Sequence, residues 1–580
     1  MIRRGDKEFT PSKYQEDILK FAKNGVGNGF INACAGSSKT TMLENILYHI
    51  PSEKNKVFIA FNKSIVDEMT ERIGNSINNI NITTYHSLGY SILMENFRGK
   101  EFNVSDEKYV NYLRQNILSL TQYGEVNSLG KLYNSYFNNI VHLIDYARYY
   151  HASNIPSIKN ISEKYGLNII RDECIVCKRV LDWGRENIDT IDFTDMVWLV
   201  NELNLVTKKH KYDVLLIDEA QDTSIMQQQM TERCKKRGSR TFVVGDEHQS
   251  INVWAGSDMD AVEKYKGDNV KIFELPISYR CPKKIVEFAK KYSPNIQYAD
   301  SAIDGEIRYD VPITMPSGSD MVLCRNTAPL IELYQKYLRY NKKCYIKGSN
   351  DVMKTLLGLI NSTNSEKVDI NCLTFNGMIP RLYQTLFSNI NKLVAVGYTE
   401  EDAIKHKSTF DLYDNINAIK VLCDNIETTE ELITKITDIF KDRSDEGIVL
   451  STIHKAKGLE ADNVYILCPS LLPNSFARRE WEIKSEEHLM YVAYTRSKKS
   501  LNFMHEDENR FRVGSSFNFT KMLKELNDIK EKIAFNNEHH IDESNITINS
   551  ISAHTLGDPV FHETKKNGKI KGGIKYNSLF

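Results

Sequence analysis

The chain reads as an α/β protein built on parallel sheets, and three observations predict this. Short apolar runs, rich in β-branched and aromatic residues, end in charged or glycine turns; stretches of helical periodicity lie between them; and one run opens into a loop of small residues that ends in Lys-Thr and a helix. Strands separated by helices pair in parallel, because a parallel connection needs a crossover long enough to hold a helix. With 580 residues the chain exceeds what one core supports, so roughly three to five domains are expected. Hydrophobic residues at 41% and charged residues at 26% give a globular composition able to bury such cores.

In chain order, Phe30-Ile31-Asn32 is a short lead-in to Ala33-Cys34-Ala35-Gly36-Ser37-Ser38-Lys39-Thr40, and Thr41 to Leu47 reads as a helix. Strand, small-residue loop, Lys-Thr and helix form the context of a phosphate-binding loop, in which backbone N–H groups and a helix N-terminus hold the phosphates. Ala35, Gly36, Ser37, Ser38, Lys39, Thr40 and Thr41 are the candidate contacts. Lys39 would reach the β- and γ-phosphates of ATP, and the Thr40 hydroxyl would bind Mg²⁺. The two glycines of the pattern fall on Ala33 and Ser38. Ser38 is the larger departure, because a Cβ in a tight turn restricts φ and crowds the phosphates. Taken by itself, the loop divides evenly between a nucleotide site and a plain Ser/Gly turn.

Val57 to Phe61 reads as the next buried strand, and Val214 to Ile217, Thr241 to Val244, Met321 to Cys324 and Val464 to Leu467 read likewise. The run Leu215-Leu216-Ile217-Asp218-Glu219-Ala220-Gln221-Asp222 sets two carboxylates at a strand end, where open α/β sheets bind ligands. Asp218 would hold Mg²⁺, directly or through water, and Glu219 would orient and deprotonate the attacking water. With a phosphate loop upstream, this outweighs the plain reading of an acidic loop after a core strand.

Between about Tyr90 and Asp189 the strand signal fades into helical spacing, and a second helical stretch runs from about Val352 to Asp445. The expected organisation is a first α/β domain over 1–89 and 190–275, a helical insertion over 90–189, a second α/β domain over 276–351 and 446–510, and a reduced insertion over 352–445. A C-terminal extension over 511–580 carries Lys565, Lys566, Lys569, Lys571 and Lys575 among glycines, as a small basic module or a disordered tail. That extension is also the expected contact for a protein partner. No repeat of fixed period is present.

A formal net charge of −1 excludes a globally basic nucleic-acid binder, so any DNA path must be local. Of ten cysteines, only Cys174 and Cys177 form a CxxC, with no second pair to complete a zinc set. They are expected as two half-buried thiols on a helix in a reducing compartment. Met1 to Asp6 has no apolar segment behind it, and no apolar run is long enough to span a bilayer. The expectation is a cytoplasmic protein without a membrane partner, a viral protein acting in a host cell included.

Further segments follow in order: Pro11-Ser12-Lys13-Tyr14-Gln15, Phe61-Asn62-Lys63, Thr84-Tyr85-His86-Ser87, Asp192-Phe193-Thr194-Asp195-Met196, and Val244-Gly245-Asp246-Glu247-His248-Gln249-Ser250-Ile251 with Trp254 shortly after. Ser278-Tyr279-Arg280, Thr452-Ile453-His454-Lys455-Ala456-Lys457-Gly458-Leu459-Glu460 and Tyr491-Val492-Ala493-Tyr494-Thr495-Arg496 complete the set. In order and spacing they resemble the motifs of superfamily 1 DNA helicases, in the UvrD/Rep/PcrA-like branch. The resemblance runs from about Phe9 to Phe503 and weakens in both helical stretches and beyond Phe511. Wording around Phe61 and His86 is also similar to the F-box DNA helicase subgroup, but no F-box segment is evident.

The resemblance implies two RecA-like P-loop domains, each carrying a mainly helical insertion, with ATP and Mg²⁺ between them. It implies that Gln15 reads adenine, Tyr279 stacks on it and Glu460 accepts a bond from the ribose. It further implies that Gln249 senses the γ-phosphate and that Arg280 and Arg496 act as arginine fingers. Phe61 and Trp254, with Tyr85 behind them, would stack on bases, whereas Asn62, His86 and His454 would contact the DNA strand. Core packing is the plain alternative for each aromatic. The implied activity is ATP-dependent helicase and translocase action, 3′-to-5′, on single-stranded DNA and single/double-strand junctions without sequence preference, in replication, repair or recombination. Two other readings stand beside it: an ATP-gated single-stranded DNA-binding protein that unwinds little and remodels protein–DNA complexes, and a helicase–nuclease subunit, for which no carboxylate–lysine nuclease cluster is seen.

Overall fold

The computed structural model describes residues 2–4, 7–74, 76–120, 133–165, 171–206, 208–252, 256–257, 260–267, 269–372, 376–395, 398–440, 446–474, 477, 479–505 and 516–539. Two six-stranded sheets, every pairing in them parallel, form its two lobes.

The first sheet holds β1 (Asn28–Ala33), β2 (Lys56–Ala60), β3 (Ile80–Thr84), β4 (Tyr212–Ile217), β5 (Lys235–Gly245) and β6 (Val270–Leu275), in the spatial order β6-β1-β5-β4-β2-β3. The second holds β7 (Glu306–Val311), β8 (Met321–Cys324), β9 (Cys344–Ile346), β10 (Ile448–Thr452), β11 (Ala461–Ile466) and β12 (Ser497–Met504), in the order β7-β12-β11-β8-β10-β9. Every residue of β2 and of β8 is buried, as expected where helices cover both faces of a parallel sheet.

The five strands expected from apolar runs are all present, Met321–Cys324 with the expected ends and the other four with shifted ones. β2 stops at Ala60, releasing Phe61 to an exposed turn. β5 begins six residues before Thr241, through Lys235-Lys236-Arg237-Gly238-Ser239-Arg240. That polar lead carries no apolar signal, yet Lys235 pairs with Tyr212 and Arg240 with Val214 across an irregular register. The edge strands β6 and β7 mix polar residues with apolar ones and are largely exposed, which is why their sequence does not stand out.

Helices Lys108–Leu120, Tyr133–Tyr149, Ile155–Tyr165 and Arg171–Glu186 occupy the stretch between β3 and β4. A buried charge cluster fastens them to the first lobe. Arg148, 1% exposed, donates to Asp192 at 2.7 and 2.8 Å, to Asp195 at 2.9 Å and to Asp145 at 2.7 Å. Lys108 and the Tyr109 hydroxyl also donate to Asp195, at 2.7 and 2.6 Å. A buried guanidinium is tolerable when most of its donors are satisfied in this way, as its two terminal nitrogens are here, while its Nε is left without a partner among the described residues. Cys174 and Cys177 lie on the helix Arg171–Glu186, both fully buried rather than half-buried and both free thiols.

Helices Ser349–Ser362, Met378–Ala395, Lys407–Leu422 and Thr429–Phe440 fill the stretch between β9 and β10. Their apolar faces share one continuous core with the second sheet, in which Val322, Ile331, Leu356, Leu382, Ile416 and Leu432 are buried together. Residues 516–539 form a further helix whose Leu526 and Ile529 enter that core. Its Glu525 accepts bonds from the Tyr383 and Tyr413 hydroxyls at 2.9 and 2.7 Å and from Lys420 at 2.7 Å. The lysines from 565 onward lie outside the described residues. No helix among the described residues is long and apolar enough to cross a membrane.

Candidate nucleotide site between the two lobes

β1, β5 and β4 are neighbours in the first sheet, so the loops at their C-terminal ends converge. Those loops carry Lys39, Gln249 and the pair Asp218-Glu219. Lys39 opens the helix Lys39–Tyr48, and its Nζ lies 3.4 Å from Glu219 Oε2. The Thr40 hydroxyl donates to Asp218 Oδ2 at 2.7 Å, and Asp218 Oδ1 accepts from the Glu219 N–H at 2.9 Å. Glu219 also accepts from the Gln221 side-chain amide, whose oxygen takes the Asp246 N–H at 3.0 Å. Asp246 in turn accepts from Gln249 Nε2 at 2.5 Å.

Two residues here hold left-handed backbone: Ser38 at φ 66°, ψ 42° and Glu219 at φ 51°, ψ 49°. That region favours glycine, which explains why the phosphate-loop pattern sets a glycine where this chain has Ser38. The Ser38 side chain makes no capping bond to repay the strain. Glu219 is turned toward Lys39 by the same kind of backbone.

Burial is the main influence on every charge in this cluster. With the neighbouring charge of Glu219 added, it pushes Asp218 well above the usual carboxylate range. Glu219 is equally buried, but Lys39 and Lys457 outweigh that and hold it below its ordinary value. Burial opposes the charge on Lys39, yet Glu219, Asp246 and Asp218 raise it overall. Lys39 therefore stays cationic and Glu219 anionic, while at Asp218 the Thr40 bond and the Lys39 charge only partly offset burial. A hydroxyl and an electron-rich carboxylate meeting at 2.7 Å suit a small divalent cation. Among the described residues no group of three or more His, Cys, Asp and Glu gathers as a ready metal cage. Mg²⁺ needs none, because it keeps water and phosphate oxygens as most of its ligands.

The second lobe closes directly on this wall. The Gly36 carbonyl accepts from the Tyr279 N–H at 2.9 Å, and the Ala35 N–H donates to the Tyr491 hydroxyl at 3.0 Å. Gly36 has φ +75°, and a Cβ there would stand 2.7 Å from both Arg280 Cβ and Ser278 Oγ. Arg496, 1% exposed, donates through Nη2 to Gln249 Oε1 at 3.3 Å and is anchored by Val492 and Leu459 carbonyls at 2.9 and 3.3 Å. Burial lowers its pKa to about 10, so it remains charged at neutral pH. His488 Nδ1 sits 3.0 Å from the Ser250 carbonyl, and burial drops His488 to about 4.

The remaining expected contacts are placed as follows. Gln15 is buried, with its side-chain oxygen accepting the Ser12 N–H at 2.9 Å in a capping box. Ser37 donates to the Cys34 carbonyl at 2.8 Å, and Thr41 accepts from Arg72 at 3.5 Å. Tyr279 is 48% exposed, leaving a ring face open. Glu460 accepts from Arg280 at 2.7 Å and pairs with Lys498 at 3.1 Å, so Arg280 is held at its side rather than turned toward Glu219.

Phe61 is 42% exposed beside the exposed Asn62, whose side chain caps the helix Lys63–Ile73 through the Ile65 N–H at 3.0 Å. His86 is half-buried, its ring edge-on to Phe193 at 6.2 Å, and burial lowers its pKa. Phe193 is 52% exposed. His454 is half-buried in the turn after β10. Tyr85 is a correction: it is 3% exposed, with its hydroxyl 3.2 Å from Thr231 Oγ1, because it opens the helix Tyr85–Asn96 on the face turned to the core. No ring face is left there for a base. Trp254 lies outside the described residues.

Sequence reasoning quoted Gln221, Asp222, Asp246, Lys457 and Tyr491 within motifs without giving them roles. Their position among the functional residues was the available signal. Asp222, Lys457 and Tyr491 make contacts that span more than two hundred residues of chain, which no local pattern reveals.

Comparison with known proteins matches residues 15–269 to the UvrD/REP helicase N-terminal domain and residues 447–504 to the UvrD-like helicase C-terminal domain. The ATP-dependent DNA helicase Rep of Buchnera aphidicola (subsp. Acyrthosiphon pisum) is 23% identical, with 82% of this chain and 92% of the relative aligned. A probable DNA helicase II homolog of Mycoplasma pneumoniae is 22% identical over 82% of each chain. The ATP-dependent DNA helicase PcrA of Leuconostoc citreum is 25% identical over 45% of this chain and 36% of its own length.

Proposed function

The chain belongs to the UvrD/Rep family of ATP-dependent DNA helicases, and from that premise we propose that it moves 3′-to-5′ along single-stranded DNA and opens duplex at single/double-strand junctions. One observation supports this reading above the rest. Lys39, Thr40, Asp218, Glu219 and Gln249 of the first lobe meet Arg496 of the second, through the 3.3 Å bond between Arg496 and Gln249.

In this reading the backbone of Ala35 to Ser38 and the start of the helix Lys39–Tyr48 cradle the ATP phosphates. Lys39 and Thr41 complete that cradle, and Gln15, Tyr279 and Glu460 take the nucleoside. Thr40 and Asp218 hold Mg²⁺, which when bound neutralises charge developing on the phosphates. Glu219 is held ionised and takes a proton from the attacking water. Arg496 and, after release from Glu460, Arg280 stabilise the transferring phosphoryl group. Such fingers act only when the lobes are closed, so each turnover closes and reopens them, and alternate grip on the strand turns that cycle into movement. Phe61, Asn62, His86, Trp254 and His454 form the strand path. Residues 1–89 with 190–275 and 276–351 with 446–510 are the two motor units, and the C-terminal extension is the candidate protein contact.

ATP turnover with and without single-stranded DNA, paired with unwinding of duplexes bearing a 3′ or a 5′ tail, tests the whole reading. Turnover is expected to rise with DNA, to collapse in Glu219→Gln, and to drive unwinding from 3′ tails. Efficient unwinding only from 5′ tails would refute the direction. Stimulated turnover without unwinding would favour an ATP-gated translocase that remodels protein–DNA complexes.

A further inference from the structure

The loops of the nucleotide site leave the C-terminal ends of β1, β4 and β5, and Phe61 and His86 of the proposed strand path follow the C-terminal ends of β2 and β3. The opposite, N-terminal ends of β2, β4 and β5 carry a separate feature. There Lys54, Lys209, Lys236 and Arg237 are exposed, with Lys211 and Lys235 half-buried among them. The six residues of β4 set the two ends roughly 20 Å apart.

The backbone builds this basic face. Between the pairs Tyr212 with Lys235 and Val214 with Arg240, β4 advances two positions and β5 five, so Lys236 to Ser239 leave the ladder as a bulge. Gly238, at φ +78° with open space around it, turns the bulge. Asp213 ties the bulge to the turn before β2: its Oδ2 accepts from Lys236 Nζ at 2.8 Å and from the Asn55 N–H at 2.9 Å. Two further lysines brace the turns from within. Lys56, buried, donates to the carbonyls of Pro51, Ser52 and Lys54 at 3.3, 3.3 and 2.7 Å. Lys211 donates to the carbonyls of Arg233 and Lys235. The exposed cations therefore stand on turns that are already fixed.

The charge on this face is one-sided, in a chain whose net charge is −1. Asp213 is matched by Lys236 and Glu232 by Lys235. Among the described residues, Lys54, Lys209 and Arg237 enter no ion pair. Like charges gathered on one face repel one another, and a bound polyanion removes that repulsion. The neighbouring side chains say which polyanion. No aromatic side chain is exposed over residues 51–56 or 209–240, so unpaired bases find no ring to stack on. No large apolar side chain is exposed there either, and the centre of a protein interface needs one. A row of backbone phosphates needs neither.

We propose that this face is a second DNA site, which takes the phosphate backbone of a duplex by charge while the other end of the same sheet works on the single strand. It goes beyond the proposed motor path, with which it shares no residue. Duplex held there stays with the protein while the motor path releases and regrips its strand. The face thus adds retention on DNA without entering hydrolysis.

The test uses the full chain without nucleotide, a dye-labelled short blunt duplex, and unlabelled oligo(dT) in saturating amount to fill the motor path. Fluorescence anisotropy reads duplex binding across a salt series. The variant is Lys54→Gln with Lys209→Gln and Arg237→Gln, and the control is Lys284→Gln with Lys291→Gln and Lys499→Gln, three exposed lysines of the second lobe. The wild type is expected to hold the duplex with oligo(dT) still bound. The variant should bind the duplex at least about 10-fold more weakly, with a log–log salt slope smaller by about 2–3. The control should match the wild type, and ATP turnover with oligo(dT) should be the same in all three. If the triple variant fails to fold, Arg237→Gln alone should still reduce the slope by about 1. Displacement of the duplex by oligo(dT), equal weakening in the control, or an unchanged slope would overturn the site. Tighter binding of poly-glutamate than of duplex would overturn it in favour of an acidic protein surface. A wild type that holds the duplex as described but shows no DNA-stimulated turnover would defeat the motor reading and leave this site standing.

Discussion

At the scale of single residues, two side chains carry measurable consequences. Ser38 holds φ 66° with no capping bond, a conformation that costs an L-residue about 1 kcal/mol relative to glycine. Ser38→Gly is therefore expected to raise the melting temperature slightly and to keep or raise ATP turnover, whereas Lys39→Ala should lower turnover about 100-fold or more. Loss of activity in Ser38→Gly would mean that the hydroxyl serves the phosphates directly. His488 gives a pH signature. Burial drops it to about 4 from an ordinary 6.5, so the unfolded chain binds the extra proton first. Its contribution is complete above about pH 6.5 and is lost as pH falls toward 4. The full shift amounts to roughly 3 kcal/mol. Melting curves of wild type and His488→Gln should diverge in their pH dependence across that window, and parallel curves would remove His488 as the cause. The meeting of Lys39, Asp218 and Glu219 was legible because a strand end and a loop mark them locally. Tyr85 misled, since a motif gives the order of residues but not which face of a helix turns inward.

At the scale of elements, the helices between β9 and β10 were legible as helices but not as part of the second lobe. Periodicity reports that a helix has an apolar face; it is silent on what that face meets. Here it meets β8, β10 and the helix Ala328–Arg339 in one core, so this stretch is fused to its lobe rather than hung from it. The helix Ser516–His539 extends the same core, in a region whose polar composition predicted a basic module or disorder. Ending the chain at residue 515 exposes the sites of Leu526 and Ile529, each worth about 1.5–3 kcal/mol when buried. It also leaves the Tyr383 and Tyr413 hydroxyls and Lys420 without their common acceptor. The truncated chain should melt at a lower temperature, and Glu525→Ala should show a smaller loss of about 1–3 kcal/mol. Calorimetry decides this, and an unchanged transition would mean that the helix only rests on the lobe.

At the scale of the whole molecule, the lobes meet in an arrangement too close for added atoms at the phosphate loop. Gly36→Ala would set a methyl group 2.7 Å from Arg280 Cβ and from Ser278 Oγ, at a backbone angle that disfavours it. Turnover is expected to fall about 100-fold through failure to close. Full turnover in steady-state assays would show that hydrolysis uses a more open pose. The two-lobe plan was legible in the sequence from the spacing of its motifs. The particular contacts that close the lobes were not, because Tyr491 to Ala35 and Arg496 to Gln249 join residues more than two hundred positions apart.

All ten cysteines are buried, and burial raises several of their thiols, Cys34, Cys177 and Cys281 among them. A thiol must ionise at the surface to attack a bulky reagent. With its lobes closed, the native fold therefore holds every thiol away from maleimide dyes without any cysteine being replaced. A single cysteine introduced on each lobe, at Val26 and at Ile303, both more than half exposed, would be the pair of handles that such dyes reach first. Energy transfer between them would then record the opening and closing of the lobes, one molecule at a time, in a chain that keeps every native thiol.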